Sequence, residues 1–248
     1  MIAIYTLWLR EVKKYFRSKS RMIGSLGQPL LFLVALGFGL GPVFQKAGEG
    51  NYIQFLVPGI VSMSILFTAI FSGVSVIWDR QFGFLKETLV APVPRWQIML
   101  GRTLGGATVA VIQGILVFCL SFVAGFNLPN ISLLPLAIVF MFLVALLFTA
   151  IGLSIASLLE DMQGFQMIMN FLVMPIFFLS GALFPMDGLP KVLEVIVRFN
   201  PLAYGVDGIR GCLGGSITFG LMPDFAILFI SVAFLITLGG YLFSKIQI

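Results

Sequence analysis

Long apolar segments constrain the fold of this chain more than any other feature. Six of them carry no Asp, Glu, Lys or Arg in their central portions. They span approximately residues 22–44, 55–78, 94–126, 133–158, 165–184 and 225–243. A helix needs about 20 apolar residues to cross a hydrocarbon core that is ~30 Å thick. The chain is therefore predicted to be an all-α membrane protein with six transmembrane helices.

The composition excludes an ordinary soluble domain. Hydrophobic residues make up 59% of the chain and charged residues only 10%, whereas roughly a quarter of the residues of a soluble domain are charged. A transmembrane β-barrel would need segments of about ten residues that alternate between apolar and polar, and no such alternation is present. The first apolar segment exceeds the ~7–15 residues of a signal-peptide core, so it is predicted to be a retained span.

The distribution of cations predicts the orientation of the chain. The net charge is +5, but its lysines and arginines flank the apolar segments, which favours lipid contacts and topology signals over nucleic-acid binding. With the N-terminus inside, six spans place eleven Lys and Arg on the inner side and four on the outer side. We therefore expect a multi-pass protein of the cell (inner) membrane with both termini in the cytoplasm.

Residues 1–21 form a predicted amphipathic helix that precedes a single transmembrane domain, residues 22–248. At 100° per residue one side is apolar and carries Ile4, Tyr5, Trp8, Leu9, Val12, Tyr15 and Phe16. The opposite side carries the cations Arg10, Lys13, Lys14 and Arg17. Such a helix is expected to lie in the headgroup layer and to contact anionic lipid. The alternative is a basic anchor that only sets topology.

The longest charged interruption of the apolar sequence is the loop 79–102 between the second and third spans. The pattern predicts a short amphipathic helix from Arg80 to Val90, which the segment 91–94 (Ala-Pro-Val-Pro) would end. Pro94 suits the start of the next helix, because proline is favoured in the first helical turn. This helix-turn-helix is either a docking element for a partner or a solvated loop.

A second unusual segment, residues 185–223, lies between the fifth and sixth spans. Proline and glycine interrupt it near 185–190, residues 191–199 have a short amphipathic pattern, and Asn200-Pro201 breaks that pattern. We expect two short helices that re-enter the outer edge of the bilayer.

Two sequence stretches carry a family resemblance. The run 83–95 (Gly-Phe-Leu-Lys-Glu-Thr-Leu-Val-Ala-Pro-Val-Pro-Arg), closing with Leu-Gly-Arg at 100–102, resembles the cytoplasmic loop of type-2 permease subunits of ATP-binding-cassette exporters. The stretch 178–185 (Phe-Leu-Ser-Gly-Ala-Leu-Phe-Pro), followed by 200–210 (Asn-Pro-Leu-Ala-Tyr-Gly-Val-Asp-Gly-Ile-Arg), is similar to the outer segment of the drug-efflux and lipo-oligosaccharide branch. Together with the basic N-terminal helix and six spans, the resemblance covers essentially the whole chain.

The resemblance implies a partner that hydrolyses ATP. In this family the loop after the second span contains a coupling helix that fits a groove on a separate ATPase subunit, and two permeases, here expected as a homodimer, work with two ATPases. The positions that match are Arg80, Phe84, Glu87, Leu89 and Pro92. The chain itself has no Gly-Lys pair and therefore no phosphate-binding P-loop. ATP and Mg²⁺ are accordingly expected on the ATPase, and no cofactor is expected on this chain.

If substrate passes between two copies, the second and fifth spans are predicted to line its path. The candidate lining residues are Phe67, Phe71, Asn170, Phe171, Met174, Phe177 and Ser180. Their aromatic, thioether and weakly polar side chains favour a hydrophobic or amphipathic substrate, such as a drug or a lipid-linked molecule, and a lipo-oligosaccharide or polysaccharide is the alternative. Packing alone also explains aromatic residues at helical spacing. The spans are expected to hold no buried Asp, Glu or His, which disfavours a proton-driven transporter.

Other function classes have weaker support in the sequence. The chain has no histidine, and Cys119 and Cys212 lack metal-ligand spacing, so no metal site is predicted and both cysteines are expected to pack as neutral groups. An intramembrane transferase would have only Asp187, Glu194 and Asp207 as outer catalytic acids, without a recognisable arrangement. A scaffold subunit without a transport role is the third hypothesis.

Overall fold

A computed structural model describes residues 1–46, 51–90, 92–129, 131–159, 161–186 and 190–244, together with all but five of their side chains, those of Arg21, Gln45, Lys86, Leu89 and Ser244. These residues form helices and turns, with no strand among them. The helices are α1 (Ile2–Arg17), α2 (Lys19–Lys46), α3 (Tyr52–Phe71), α4 (Val74–Gln81), α5 (Phe84–Val90), α6 (Arg95–Ser121), α7 (Leu134–Leu158), α8 (Met162–Phe178), α9 (Lys191–Phe199), α10 (Pro201–Cys212) and α11 (Leu221–Ser244).

The all-helical prediction is confirmed, but the count of six spans is not. Five segments of the described chain are long and apolar enough to cross a membrane: Met22–Phe44, Tyr52–Gln81, Arg95–Ser121, Ile131–Leu158 and Leu221–Phe243. The predicted fifth span, residues 165–184, corresponds to the 17-residue helix α8. It is shorter than predicted because the chain turns at Leu179, so that the remaining apolar residues follow the helix instead of extending it.

Within the core, the backbones of α3 and α7 approach each other closely at one crossing. A Cβ atom on Gly73, between α3 and α4, would overlap with the carbonyl group of Gly152 in α7. A Cβ atom on Gly152 would likewise overlap with the carbonyl oxygen of Ile70. In a membrane, where helix association depends on van der Waals contact, small residues allow backbones to approach closely. The crossing therefore needs glycine on both helices.

Helix α1 packs along α6. A Cβ atom on Gly101 would lie 3.0 Å from the Ile4 carbonyl oxygen, and one on Gly105 would lie 2.8 Å from Glu11 Cβ. The two glycines, four residues apart, thus form the surface that receives α1. Part of the predicted apolar side of α1 consequently faces protein, whereas Tyr5 and Phe16 remain exposed. Its position in the headgroup layer stays a prediction.

The loop 79–102 differs from the predicted single helix Arg80–Val90. Helix α4 ends at Gln81, and Gly83 has a positive φ of 80° before α5 begins at Phe84. A left-handed backbone ends a helix and is accessible to glycine at little cost, so the helix divides there. The predicted restart is confirmed, because Pro94 immediately precedes the first residue of α6. Ala91 lies outside the described residues.

The segment 185–223 contains the two short helices predicted for it, α9 and α10. Asn200 joins them, since its side chain accepts a hydrogen bond from Leu202 N and donates to the carbonyl oxygens of Ile176 and Leu179 at the end of α8. Helix α10 is buried against α3, α7 and α11. It contacts the beginning of α3, whereas the last residue of α3, Phe71, faces the first turn of α8. The bundle therefore has an α10 end and, opposite it, an α1 end.

The predicted spans 55–78 and 225–243 themselves contain no carboxyl group, but a buried Asp lies immediately beside each of them. Asp79 is 4% exposed near the end of α4, and Asp224 is fully buried in the first turn of α11. Both helices extend beyond the apolar runs that defined the predicted spans, so the helix termini include polar residues. The two groups lie at the ends of their helices.

Candidate functional site

A buried ion-pair cluster holds the α1 end of the bundle together. Asp79 Oδ1 accepts a hydrogen bond from Arg10 Nη2 at 2.8 Å, and its Oδ2 accepts one from Arg102 Nη2 at 2.7 Å. Asp79 and Arg102 are almost inaccessible, with Arg102 2% exposed. Buried charges are tolerated only when they are paired and hydrogen-bonded. One carboxylate therefore fixes α1, α4 and α6 to each other at the point where the loop 79–102 begins and ends.

Arg80 adds a fourth helix to this cluster. Its Nη1 donates a hydrogen bond of 3.0 Å to the carbonyl oxygen of Leu159, the residue that follows α7. A cation at this position also interacts favourably with the negative end of the helix dipole. Arg80, which is half-buried, is thus bonded to α7 within the chain, whereas the family resemblance places it at the ATPase contact.

Helix α5 follows this ion-pair cluster in the chain, and much of its surface is exposed. Leu85 is buried and anchors the helix, while Phe84, Glu87 and Val90 are exposed. Pro92, beyond the helix, is also exposed. Of the five predicted contact residues, Phe84, Glu87 and Pro92 are therefore accessible to a partner. Leu89 belongs to α5, but its side chain lies outside the described part of the structure.

The cations of α1 share one surface. Arg10, Lys13, Lys14 and Arg17 line a single open depression along the helix. Arg10 is joined to Asp79, and Lys14 Nζ lies 5.8 Å from the centroid of the Trp78 ring, so two of the four also contact α4. Lys13 and Arg17 are exposed.

Two hydrogen bonds fix the opposite side of α1 to the body of the bundle. Trp8 Nε1 donates to Thr108 Oγ1 at 3.0 Å, and the Tyr15 hydroxyl donates to the carboxamide oxygen of the fully buried Gln113. Gln113 is the polar residue that stands out in the apolar sequence of the third span, and α1 supplies its partner. Any movement of α1 must therefore break these bonds or move α6 with it.

The predicted substrate-path residues occupy three different environments within one chain. Phe67 and Phe71 stack at a centroid distance of 6.4 Å and line a cavity of about 260 Å³. The remaining wall of the cavity comes from Tyr15, Gly24, Ser25, Gln28, Pro29, Met63, Ser64 and Thr68. The Ser64 hydroxyl is buried and has no hydrogen-bond partner among the described residues. The cavity thus combines aromatic and thioether surface with a few polar groups.

The other five predicted path residues lie on or just after α8. Asn170, Phe171 and Met174 are exposed, with Phe171 84% exposed, and they form an unpartnered face of the helix. Phe177 is only 1% exposed, and Ser180 is fully buried with its hydroxyl donating to the Phe177 carbonyl oxygen. A single chain therefore does not bring the seven residues together on one surface.

The α10 end contains a second buried arginine. Arg210 Nη2 donates to the Gly181 carbonyl oxygen at 2.8 Å, and its guanidinium carbon lies 4.0 Å from the centroid of the Phe55 ring. Burial lowers the pKa of Arg210 to about 10, an effect that the charge of Asp207 partly opposes. The side chain therefore remains protonated at neutral pH.

The outer acids that a transferase could use have structural contacts where the structure describes them. Asp207 accepts hydrogen bonds from the backbone N–H groups of Thr218 and Phe219 and so fixes the loop before α11. Glu194 forms an exposed ion pair with Arg198, one turn further along α9. Asp187 lies outside the described residues. Cys119 is exposed and Cys212 buried, and burial raises the pKa of the Cys212 thiol to about 11.

A family model described as ABC-2 type transporter matches residues 2–213, which include α1, the loop 79–102, α8 and α10. The chain belongs to the ABC-2 type transporter family. The resemblance to type-2 permeases that the sequence motifs indicate is therefore confirmed.

Two of three curated relatives of this ABC-2 family member are named as transport permeases. The chain is 32% identical over 210 residues to the putative transport permease ycf38 of Cyanophora paradoxa, covering 80% of this chain and 71% of that protein. It is 31% identical over 196 residues to nodulation protein J of Rhizobium leguminosarum bv. trifolii, with coverages of 78% and 74%. It is 27% identical over 240 residues to the inner membrane transport permease YadH of Escherichia coli K12, with coverages of 92% and 91%. These names favour a membrane subunit over an intramembrane transferase.

Sequence reasoning missed the most constrained residues of this ABC-2 permease. In the sequence, Asp79 and Arg102 mark only the bounds of the charged loop, and helical periodicity predicts a lipid contact for Arg10. The pairing of Arg10 with Asp79 joins residues that are 69 positions apart. Charge type marks these residues as unusual within apolar sequence, but no local pattern indicates which of fifteen cations is the partner.

Proposed function

We propose that this permease is the membrane subunit of an ATP-driven exporter and that a separate ABC ATPase docks on α5. The observation that carries the proposal is that α5 is short and exposed and follows a helix, α4, that is firmly bonded to the bundle. Phe84 and Glu87 are accessible, while Asp79 and Arg80 bond the preceding helix to α1, α6 and α7. A displacement of α5 by a partner would therefore be transmitted to the bundle instead of being absorbed by a loose loop.

The proposed membrane arrangement has six crossings and both termini in the cytoplasm. Helix α8, at 17 residues, spans about 26 Å at 1.5 Å per residue, and local thinning of the bilayer would accommodate the deficit. The cation bias supports a cytoplasmic position for α1 and α5. There the depression lined by Arg10, Lys13, Lys14 and Arg17 would contact anionic headgroups.

The proposed translocation path lies between two copies of this chain. The exposed face of α8 around Phe171 is the surface that a second copy would cover, and Phe67 and Phe71 line a cavity between α2 and α3. This lining is aromatic with few polar groups, so it suits a hydrophobic or amphipathic substrate and gives a strongly hydrated one no replacement for its water. A lipo-oligosaccharide or polysaccharide is the alternative cargo. ATP and Mg²⁺ would bind the ATPase.

The docking proposal is tested by purifying tagged permease with the ATPase that accompanies it and measuring ATP turnover in lipid nanodiscs. We expect Phe84→Ala and Glu87→Arg each to reduce recovery of the ATPase by about tenfold or more, the size of an interface hot spot. Glu194→Arg makes the same charge reversal at the α10 end and should change neither recovery nor turnover. Unchanged recovery with both α5 variants would exclude α5 as the docking element.

The cargo is tested in the same nanodiscs by adding amphipathic drugs or lipid-linked oligosaccharides. A cargo that uses the proposed path should stimulate ATP turnover in wild type and much less in Phe67→Ala. Stimulation that does not change in this variant would place the path elsewhere.

A further inference from the structure

A second cavity, of about 310 Å³, opens at the α10 end of the bundle. Its wall is formed by the end of α2, the beginning of α3, and α10 with the loop that follows it. No described residue of its lining belongs to α5 or to the cavity that contains Phe67. Its volume falls at the lower end of the range for small-molecule sites, about 300–1,000 Å³.

The wall of this cavity is rich in hydrogen-bond donors. Arg210 lines it while being only 3% exposed, and its Nε has no hydrogen-bond partner among the described residues. Asn51 uses its side-chain oxygen to cap α3 at Ile53 N, which leaves its NH₂ group available. Gln54 and Ser216 contribute a carboxamide and a hydroxyl. No described residue of the wall is acidic.

Arg210 lacks a direct counter-ion among the described residues, although the charge of Asp207 is felt at its position. It forms no ion pair with a described carboxylate, and Asp207, on the same helix, is occupied by the backbone N–H groups of Thr218 and Phe219. A buried guanidinium without a counter-ion is costly, and an anion at this position would reduce that cost. Guanidinium groups bind phosphate and carboxylate oxygens with strong, charge-assisted hydrogen bonds.

Neighbouring residues also restrict the position of the Arg210 side chain. Its Nη2 bonds the Gly181 carbonyl oxygen, and its guanidinium lies over the Phe55 ring. A Cβ atom on Gly215 would lie 2.5 Å from Arg210 Cγ, so the loop covers the side chain closely. Phe44 and Phe55 supply apolar surface beside the polar wall. This combination suits a group with an anionic head and an apolar or glycerol-like remainder.

We propose that this cavity is a binding site for an oxyanion of the phosphate class, such as the headgroup of a phospholipid or of an amphipathic cargo, with Arg210 as its principal ligand. The site is separate from the proposed ATPase contact and does not depend on it.

The test uses the purified full-length permease in detergent, without ATPase or ATP, and sn-glycerol 3-phosphate as the probe in calorimetric titrations. We expect saturable binding that is weakened about tenfold or more in Arg210→Gln, the range expected for loss of a hydrogen bond to a charged group. Arg198→Gln removes an exposed arginine of α9 outside the cavity and should bind like wild type. Glycerol, which lacks the charge, should not bind.

A second variant keeps the test valid if Arg210→Gln does not fold. Ser216→Trp fills the cavity from an exposed loop position and leaves the bond from Arg210 to Gly181 intact, and it should also abolish binding. Inorganic phosphate distinguishes the two sources of the ligand: weaker binding than glycerol 3-phosphate indicates a headgroup, and equal binding indicates phosphate itself. Absence of binding in wild type, equal binding of glycerol, or unchanged affinity in a folded variant would overturn the proposal.

Discussion

Asp79 is the residue whose loss should destabilise this permease most. The variant Asp79→Ala removes both ion pairs and leaves the guanidinium of Arg102 buried without a counter-charge. Removal of one partner of a buried ion pair costs about 3–5 kcal/mol, because the other charge stays buried. We expect a fall of this size in the free energy of unfolding, measured by denaturant titration in detergent.

An exposed carboxylate provides the control for Asp79. Glu194 pairs with Arg198 on a solvent-accessible face of α9, so Glu194→Ala should cost less than about 1 kcal/mol. Equal losses in the two variants would show that the Asp79 cluster is not the constraint that its burial indicates.

Asp207 should stabilise the α10 end through the loop that follows α10. Asp207→Ala removes the acceptor for the N–H groups of Thr218 and Phe219 and leaves them without a partner. Hydrogen bonds to a charged group contribute about 1.5–3 kcal/mol. We therefore expect the free energy of unfolding, measured by thermal unfolding, to fall by at least this amount. The loop 214–220 should also become accessible to protease. A variant as protease-resistant as wild type would show that the loop is held by other contacts.

Sequence patterns predicted residue types better than residue partners. The cation side of α1 and the accessible Phe84 and Glu87 followed from periodicity and motif. By contrast, the bond from Arg80 to Leu159 depends on the position of α7, which no local pattern contains. The same holds for Arg210, whose importance depends on a carbonyl group and an aromatic ring 29 and 155 positions away.

The packing of α1 on α6 depends on a glycine surface. In Gly105→Ala the new Cβ would lie 2.8 Å from Glu11 Cβ, which is not the flexible end of a side chain. Overpacking costs about 1–3 kcal/mol and exceeds the gain in helix propensity of up to ~1 kcal/mol. We expect a lower unfolding temperature for this variant and faster proteolysis of the N-terminal helix.

Gly39 supplies the comparison for Gly105 because it also lies inside a long helix. No atom outside its own helix lies within 4 Å of a Cβ placed there. Gly39→Ala should therefore raise the unfolding temperature slightly or leave it unchanged. A similar loss in both variants would indicate that glycine flexibility, and not the contact with α1, explains the effect.

At the scale of whole helices, apolar length and helix-breaking residues predicted most of the helices. They did not predict where two of them, α4 and α8, end. The restart after Pro94 and the pair α9 and α10 were predicted because proline and asparagine act locally. The break at Gly83 was missed, since glycine ends a helix only when its φ becomes positive. The short length of α8 was missed because the chain turns after Phe178, so that Ala182 contacts α3 at Gly59 and the Gly181 carbonyl bonds Arg210.

The molecule as a whole has polar contacts at its two ends and apolar helix packing between them. Ion pairs around Asp79 fix the α1 end, and Arg210 with Asp207 fixes the α10 end. Between them, glycine-mediated crossings such as that of Gly73 and Gly152 hold the helices in close contact. Helix α8, by contrast, packs through one side only, with Phe165, Met169, Val173 and Phe177 facing inward. Its other side is the part of the molecule that a second copy would complete.

This assembly can be tested with single cysteines in a background lacking Cys119 and Cys212. Phe171→Cys places a thiol on the exposed side of α8, and we expect copper-phenanthroline to yield a disulfide-linked species of twice the monomer mass in membranes. Phe177→Cys lies on the buried side of the same helix and should remain monomeric, because its position is 1% exposed. Ile230→Cys controls for random collision, since this residue is exposed on α11. Cross-linking at Ile230 as efficient as at Phe171 would mean that α8 faces lipid, and the proposed path between two copies would then have to be lined by other helices.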